Sequence, residues 1–303
     1  MSFSSDIKTE LSTIDNLSSC CYHAQVYGLV LFAHFTGYNI SFKTENNEVF
    51  NFYCNALTDY VGCDVEKNTT GSKMLIASVE DKSSKVKALE KFGHSSKETT
   101  LRINYANIEN ECCICSFLRG VFLSCGSISD PKRAYHLEFV VPYKKLSDDL
   151  IRVFNELELY PKYIQRKGNH VVYFKDSENI EDFLAYIGAQ NASLYLMSIK
   201  IEKDVKNSVN RKLNFEMHNL EKTVSAANYQ IEAIEYICKT VGLSALPDNL
   251  QELALLRLDN PEATLSELGS LYDENISKSG IKHRLDKIVE KANYLKNSRN
   301  EDA

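Results

Sequence analysis

Apolar and polar positions are most informative near the C-terminus. From Thr264 to Leu295 the chain reads TLSELGSLYDENISKSGIKHRLDKIVEKANYL. Thr264 followed three residues later by Glu267 is a capping box, in which each side chain closes a backbone N–H that the first helical turn leaves open. Leu265, Leu268 and Leu271 give that short helix one apolar face. Asp273, Glu274 and Asn275 predict a polar turn, and Ser277 an N-cap for a second helix. There Ile281, Leu285, Ile288, Val289, Ala292 and Leu295 recur at steps of 4, 3, 1, 3 and 3, an amphipathic stripe. At about 100° per residue, Ser279, His283 and Lys287 lie off the stripe. Lys282 and Arg284 flank them, and Lys278 stands at the helix start. Two short helices joined by a tight turn, the second basic and polar outward, predict a helix-turn-helix, whose second helix enters the DNA major groove by its N-terminal end. A surface helix with ordinary solvated lysines would carry similar letters.

Upstream, the pattern changes period several times. Residues 5–16 predict a short leading helix, and Ser18 or Ser19 caps the next, SCCYHAQVYGLVLFAHF, which is apolar on nearly every side from Ala24. Gly28 lies inside it; a mid-helix glycine costs about 1 kcal/mol relative to alanine, and close helix-to-helix approach is the reason to expect. Tyr38–Thr44 alternates like a strand, and Val49, Tyr53, Ala56 and Tyr60 fall at helical spacing. Cys63–Lys67 and Lys73–Val79 predict two strands joined by the turn residues Asn68–Ser72, and Asp81–Phe92 a lysine-rich helix ended by Gly93. The order then recurs: a mainly apolar helix at 109–125 with an internal Gly120, a strand at 135–141, a helix carrying Leu146 to Leu157, a hairpin at 160–175 across Lys167, Gly168 and Asn169, and a helix at 176–187. Gly28 and Gly120 stand 92 residues apart. The element order therefore predicts an internal repeat with the two glycine-bearing helices packed together. Residues 191–241 read as helical, with a break expected near Asn214 because asparagine caps helices better than it fills them. Leu246-Pro247-Asp248 opens another helix that Asn260-Pro261 ends, the first of a three-helix unit.

Composition narrows the functional classes. The 303 residues carry a net charge of −6, so contact with nucleic acid must come from local patches. One such patch runs from Ser277 to Arg299, where seven Lys or Arg face only Asp286 and Glu290. No stretch approaches the roughly 18 apolar residues needed to span a membrane, and MSFSSDIKTEL lacks a targeting pattern. With nine cysteines this predicts a reducing, cytoplasmic setting. Cys112, Cys113 and Cys115 are spaced C-C-x-C rather than C-x-x-C, and no distant C-x-x-C or H-x₃-H pair completes them. Buried reduced thiols, and no metal, are the expectation. The chain has neither GxxxxGK[ST] nor GxGxxG, so no nucleotide cofactor is expected. None of the seven histidines sits beside a nucleophile-and-base pairing visible in sequence.

Three segments carry a family pattern. FLRGVFLSCGSISDPKRAYHLEF (Phe117–Phe139) resembles the second LAGLIDADG-like helix and following strand of the WhiA family of bacterial transcription regulators. NSVNRKLNFEMHNLEKTVSAANYQIEAI (Asn207–Ile234) is similar to that family's connector, and SELGSLYDENISKSGIKHRLDKI (Ser266–Ile288) to its helix-turn-helix. The resemblance implies an α+β chain in three parts. Residues 1–190 would form a pseudo-twofold LAGLIDADG-like domain of two α-β-α-β-β-α repeats (about 18–92 and 109–187). Residues 191–241 would be a helical connector, and 242–303 an all-α helix-turn-helix domain. It also implies a role in transcription control, cell division and, in spore formers, sporulation, in the cytoplasm and on the nucleoid.

A LAGLIDADG nuclease needs an acid near the end of each motif helix, because two-metal hydrolysis of a phosphodiester requires anionic ligands to position the ions and activate water. Aligning Leu118–Gly126 with the motif puts Leu123 and Cys125 at the acid positions, and aligning Val26–His34 puts Leu31 and Ala33 there. No cleavage is expected. Ser277, Lys278, Ser279, Lys282, His283, Arg284 and Lys287 are the expected contacts to double-stranded DNA. Ser277, Ser279 and the first backbone N–H groups suit phosphate, as does Lys278; His283, Arg284 and Lys287 suit base edges or backbone. Lys132, Arg133, Lys144, Lys145, Lys162, Arg166 and Lys167 suit either DNA or an adaptor surface for a partner such as RNA polymerase or another regulator.

Overall fold

The computed structural model describes residues 2–301 apart from 16, 37, 38, 72, 96, 97, 99 and 273–275. The polar turn expected at Asp273–Asn275 lies outside the described residues, as do Tyr38 and Ser72, which belonged to an expected strand and turn. A leading helix α1 (Phe3–Ser12) precedes two copies of one arrangement. The first comprises α2 (Ser19–Leu31), β1 (His34–Thr36), β2 (Asn39–Thr44), α3 (Asn47–Asn55), which widens into a π turn (Ala56–Val61), β3 (Glu66–Thr70), β4 (Met74–Val79) and α4 (Lys82–Lys91). The second comprises α5 (Glu111–Cys125), β5 (Gly126–Ile128), β6 (Leu137–Val141), α6 (Lys144–Glu156), β7 (Lys162–Arg166), β8 (Asn169–Phe174) and α7 (Ser177–Tyr186). Each copy forms a four-stranded antiparallel sheet, ordered β1-β2-β4-β3 in one and β5-β6-β8-β7 in the other. The predicted repeat is present, with one strand more per copy than the pattern showed. β1 and β5 have three residues each, too few for a period of two to register.

Local chemistry sets the element ends. Ser18, Asn46, Asp81 and Asp176 each accept a hydrogen bond from a backbone N–H of the helix they precede. The β7–β8 turn holds Lys167 and Gly168 at φ 50° and 82°, the paired positive angles that a two-residue hairpin requires. The two central helices then meet glycine to glycine. A Cβ on Gly28 would lie 2.3 Å from Phe117 O, and one on Gly120 2.0 Å from Gln25 O. Around this crossing one apolar core spans both copies, including Tyr27, Leu29, Phe117, Phe122, Phe139, Phe154 and Phe183. Two buried polar groups tie the copies to their surroundings. Arg119 Nε donates to Ile187 O at 2.7 Å and its Nη1 to Gln25 Oε1 at 3.2 Å. Asp149 accepts from Arg102 through both oxygens and from Ile103 N.

The remainder is helical. α8 (Gln190–Thr240) is continuous over 51 residues, so the break expected near Asn214 does not occur. Asparagine costs a helix interior only some tenths of a kcal/mol, and its neighbours Lys212, Leu213, Phe215, Glu216 and Met217 include good helix formers. The chain divides into compact units at Met1–Lys203 and Asp204–Ala303, the division falling within α8. In the second unit α9 (Asp248–Asp259), α10 (Leu265–Leu271) and α11 (Lys278–Glu301) share a core of Ile234, Ile237, Leu250, Leu253, Leu268, Tyr272, Ile281, Leu285, Ile288 and Ala292. Among the described residues no helix is long and apolar enough to cross a membrane.

Candidate nucleic-acid interface

The expected capping box closes α10: Thr264 Oγ1 accepts from Glu267 N at 3.3 Å, and Glu267 Oε2 from Thr264 N at 2.7 Å. These bonds hold the Glu267 carboxyl below the usual carboxylate range, the Thr264 backbone N–H being the largest cause. The approach from α10 to α11 depends on Gly269, where a Cβ would lie 2.4 Å from Ile276 O. Ser277 starts α11 as expected, its Oγ accepting from Gly280 N at 3.3 Å and lying 3.1 Å from Ser279 Oγ. Arg257 braces the preceding loop from a buried position, donating to Ala263 O at 2.6 Å.

Ile281, Leu285, Ile288 and Ala292 are buried, while Ser277, Lys278, Ser279, Lys282, His283 and Lys287 are exposed. Six of the seven residues singled out from the sequence therefore share solvent at the start of α11. Arg284 differs. It is half-buried, with its guanidinium 5.0 Å from the centre of the Tyr272 ring, and Tyr272 is in turn anchored by its hydroxyl, which donates to Asn249 O at 3.0 Å. Such a cation–π contact ties α11 to the end of α10.

In the first unit, the ends of the two central helices carry the residues aligned with nuclease acids. Leu31, Ala33 and Leu123 are buried and Cys125 is half-buried. Ala33 and Cys125 line a cavity of about 390 Å³ whose described lining includes His34, Lys43 and Ser124 and no carboxylate. A cation is built in nearby: Lys8 Nζ donates to Leu123 O at 3.2 Å, at the C-terminal end of α5. Burial pushes Lys8 down to about 8, against the influence of Cys125, and pushes Cys125 up to about 12, against that of Lys8. Nothing in the sequence pattern pointed to Lys8.

Comparison with known proteins finds the same two parts in order. Residues 209–292 match the model of the WhiA C-terminal helix-turn-helix domain, and residues 114–206 that of the WhiA LAGLIDADG-like domain. The chain belongs to the WhiA family. A relative named probable cell division protein WhiA, from Alkaliphilus metalliredigens, is 38% identical over 95% of this chain and 96% of its own. Another of that name, from Bacillus cereus strain B4264, is 37% identical over 98% of each. The crystal structure of full-length WhiA from Thermotoga maritima matches with a TM-score of 0.58 and 28% identity, covering 97% of this chain and 99% of that one. The family's domains are thus a LAGLIDADG-like fold followed by a helix-turn-helix, as the resemblance implied.

The fold also corrects the account of the cysteines. The cluster at 112–115 does have a distant partner, Cys20–Cys21, and the Sγ atoms of Cys20, Cys21, Cys112 and Cys113 all lie within 4.8 Å of one another. Cys115 is not among them, and Cys112 is exposed rather than buried. Desolvation pushes the Cys21 thiol up, but hydrogen bonds from Ser18, Ser116, Cys112 and Cys20 outweigh it and hold that thiol below its ordinary value. Cys112 is pushed up to about 12, chiefly by its hydrogen bond with Cys21. A C-C pair lacks the familiar metal-ligand spacing, and the signal that could have found this one is its second occurrence 92 residues on.

Proposed function

We propose that this chain is a sequence-specific DNA-binding transcription regulator acting in cell division and, in spore-forming hosts, sporulation, in the cytoplasm and on the nucleoid. Its nuclease-like domain, residues 1–190, does not cut DNA; residues 191–241 serve as connector and 242–303 as the DNA-binding domain. One observation carries the reading: the first turns of α11 bury Ile281, Leu285 and Ile288 on one side and leave Lys278, Lys282, His283 and Lys287 in solvent on the other. Ser277, Ser279 and the free N–H groups at the helix start take phosphate, where the helix dipole favours an anion. Lys278 adds a phosphate contact. Lys282, His283 and Lys287 face the groove, and Arg284 holds the helix in place from its seat over Tyr272.

The test begins with the full-length chain mixed with sheared chromosomal DNA of its host, recovered and sequenced. A discrete set of sites is expected. At one such site the double variant Lys282→Ala/Lys287→Ala should bind about 10- to 100-fold more weakly than wild type. Equal affinity would remove α11 from the interface, and no enriched site would remove sequence specificity. Incubating the complex with magnesium should leave supercoiled plasmid intact; nicking by the pure protein would contradict the inactive-domain half of the proposal.

A second reading, an adaptor surface, draws support from the first unit. Val140, Val171 and Ile164 stand opposite one another across β6, β8 and β7, and Val140 and Ile164 are exposed. This apolar row suits a protein partner such as RNA polymerase or another regulator better than a phosphate backbone. Lys162 and Arg166 lie on the same face of β7. Val140→Lys/Ile164→Lys should reduce co-purification of polymerase with the full chain and spare DNA binding; unchanged recovery would leave the face without that role.

A further inference from the structure

In both central helices the second and third positions are cysteines, Cys20–Cys21 in α2 and Cys112–Cys113 in α5. Each pair lies 92 residues from its counterpart, the interval that also separates Gly28 from Gly120. The four thiols are therefore related by the internal twofold, two from each copy, and meet at the N-terminal ends of the helices.

We propose that Cys20, Cys21, Cys112 and Cys113 form a closed, mononuclear tetrathiolate site for a soft divalent ion, zinc foremost, which staples the two copies together. A zinc–sulfur bond of about 2.3 Å sets the edges of a tetrahedron at about 3.8 Å. Four sulfurs already within 4.8 Å of one another need only small side-chain rotations to reach it. An iron–sulfur cluster places several irons and sulfides between its cysteines and does not fit inside that spacing. Magnesium and calcium prefer oxygen ligands and are excluded by the donor set. Binding converts four thiols to thiolates and releases four protons for each ion taken up, leaving a complex with two net negative charges. Two helix N-termini point their positive ends at that charge. Ser18 Oγ lies 3.2 Å from Cys20 Sγ, and Asn110 Nδ2 stands 4.0 Å from Cys113 Sγ, so both helices also supply polar groups to the outer shell. Cys20 and Cys112 are exposed, giving the ion a path from solvent, while Cys21 and Cys113 are buried. With all four positions filled by protein the ion has no open site for water, so its role is structural.

The full-length chain, purified under reducing conditions without chelator and then incubated with zinc chloride and desalted, should retain about one zinc per chain, against less than about a tenth in C20S/C112S. C115S/C238S should retain as much as wild type. Cobalt added to the metal-free wild type should give the thiolate-to-metal charge-transfer band and intense visible bands of a four-sulfur tetrahedron. A chelator that strips the ion should lower the melting temperature of wild type and leave that of C20S/C112S unmoved. Wild type that retains no zinc, or a cobalt spectrum lacking thiolate ligation, would overturn the proposal. So would mass spectrometry finding the four cysteines joined in disulfides under the same reducing conditions. These last measurements use the wild-type chain, so they hold even if the double variant folds poorly.

Discussion

Lys8 shows how a single side chain can run against the stability of its own fold. Its ammonium is withdrawn from water at the end of α5, with Leu123 O as its hydrogen-bond partner, and burial lowers it to about 8. The unfolded chain keeps that proton to about pH 10.4. Between these values the unfolded state binds more protons, so the burden Lys8 places on stability is complete below about pH 8 and is relieved as pH rises toward 10. Lys8→Met should therefore be more stable than wild type by about 1 kcal/mol near pH 7, after allowance for partial exposure and the lost hydrogen bond. Urea unfolding near pH 7 and pH 9.5 checks the sign: the gap should narrow at the higher pH, and a gap that widens would contradict the assignment. Arg284 carries the complementary lesson about legibility. At about 100° per residue it lies only some 60° from Ile281 and 40° from Ile288, at the rim of the apolar face, where its direction depends on whether a ring waits beside it. Tyr272 does, and no helical wheel of α11 alone contains that information.

Between elements, the crossing of α2 and α5 is the most exacting contact in the first unit. Gly120→Ala would place a methyl 2.0 Å from Gln25 O and 2.8 Å from Leu29 N, both backbone atoms that cannot swing aside. The expected cost is about 3 kcal/mol or more, through separation of the helices and the core behind them. Gly71→Ala, where a Cβ meets nothing among the described residues within 4 Å, should cost less than about 0.5 kcal/mol. Thermal unfolding of the two variants would show the contrast, and equal losses would contradict it. This contact was legible in advance because glycine in the middle of an apolar helix needs a reason. The three-residue strands β1 and β5 were not, since they follow their helices with no room for a repeat to show. The continuity of α8 was misjudged for the opposite reason: Asn207, Asn210, Asn214 and Asn219 are conspicuous letters whose individual penalties are small. Cys20–Cys21 escaped notice because only the fold brings it beside Cys112–Cys113.

For the molecule as a whole, a net charge of −6 means that binding to DNA works against general repulsion and depends on local cations. Lys278, Lys282 and Lys287 alone would give log K against log salt a slope of roughly −3. If the sheets of the first unit also meet DNA through Lys43, Lys162 and Arg166, roughly the same again is added. Titrations of the full chain over a range of salt concentrations distinguish the two, and a flat response would argue against phosphate contact altogether. The charge that α1 sets against the end of α5 has one last consequence, for the chain's descendants. Installing acids at positions 33 and 125 would set the second of them beside the Lys8 ammonium, which would form an ion pair with the carboxylate and repel the magnesium it was meant to hold. Building a cutting centre there thus demands at least three coordinated changes, the first of which brings no advantage by itself.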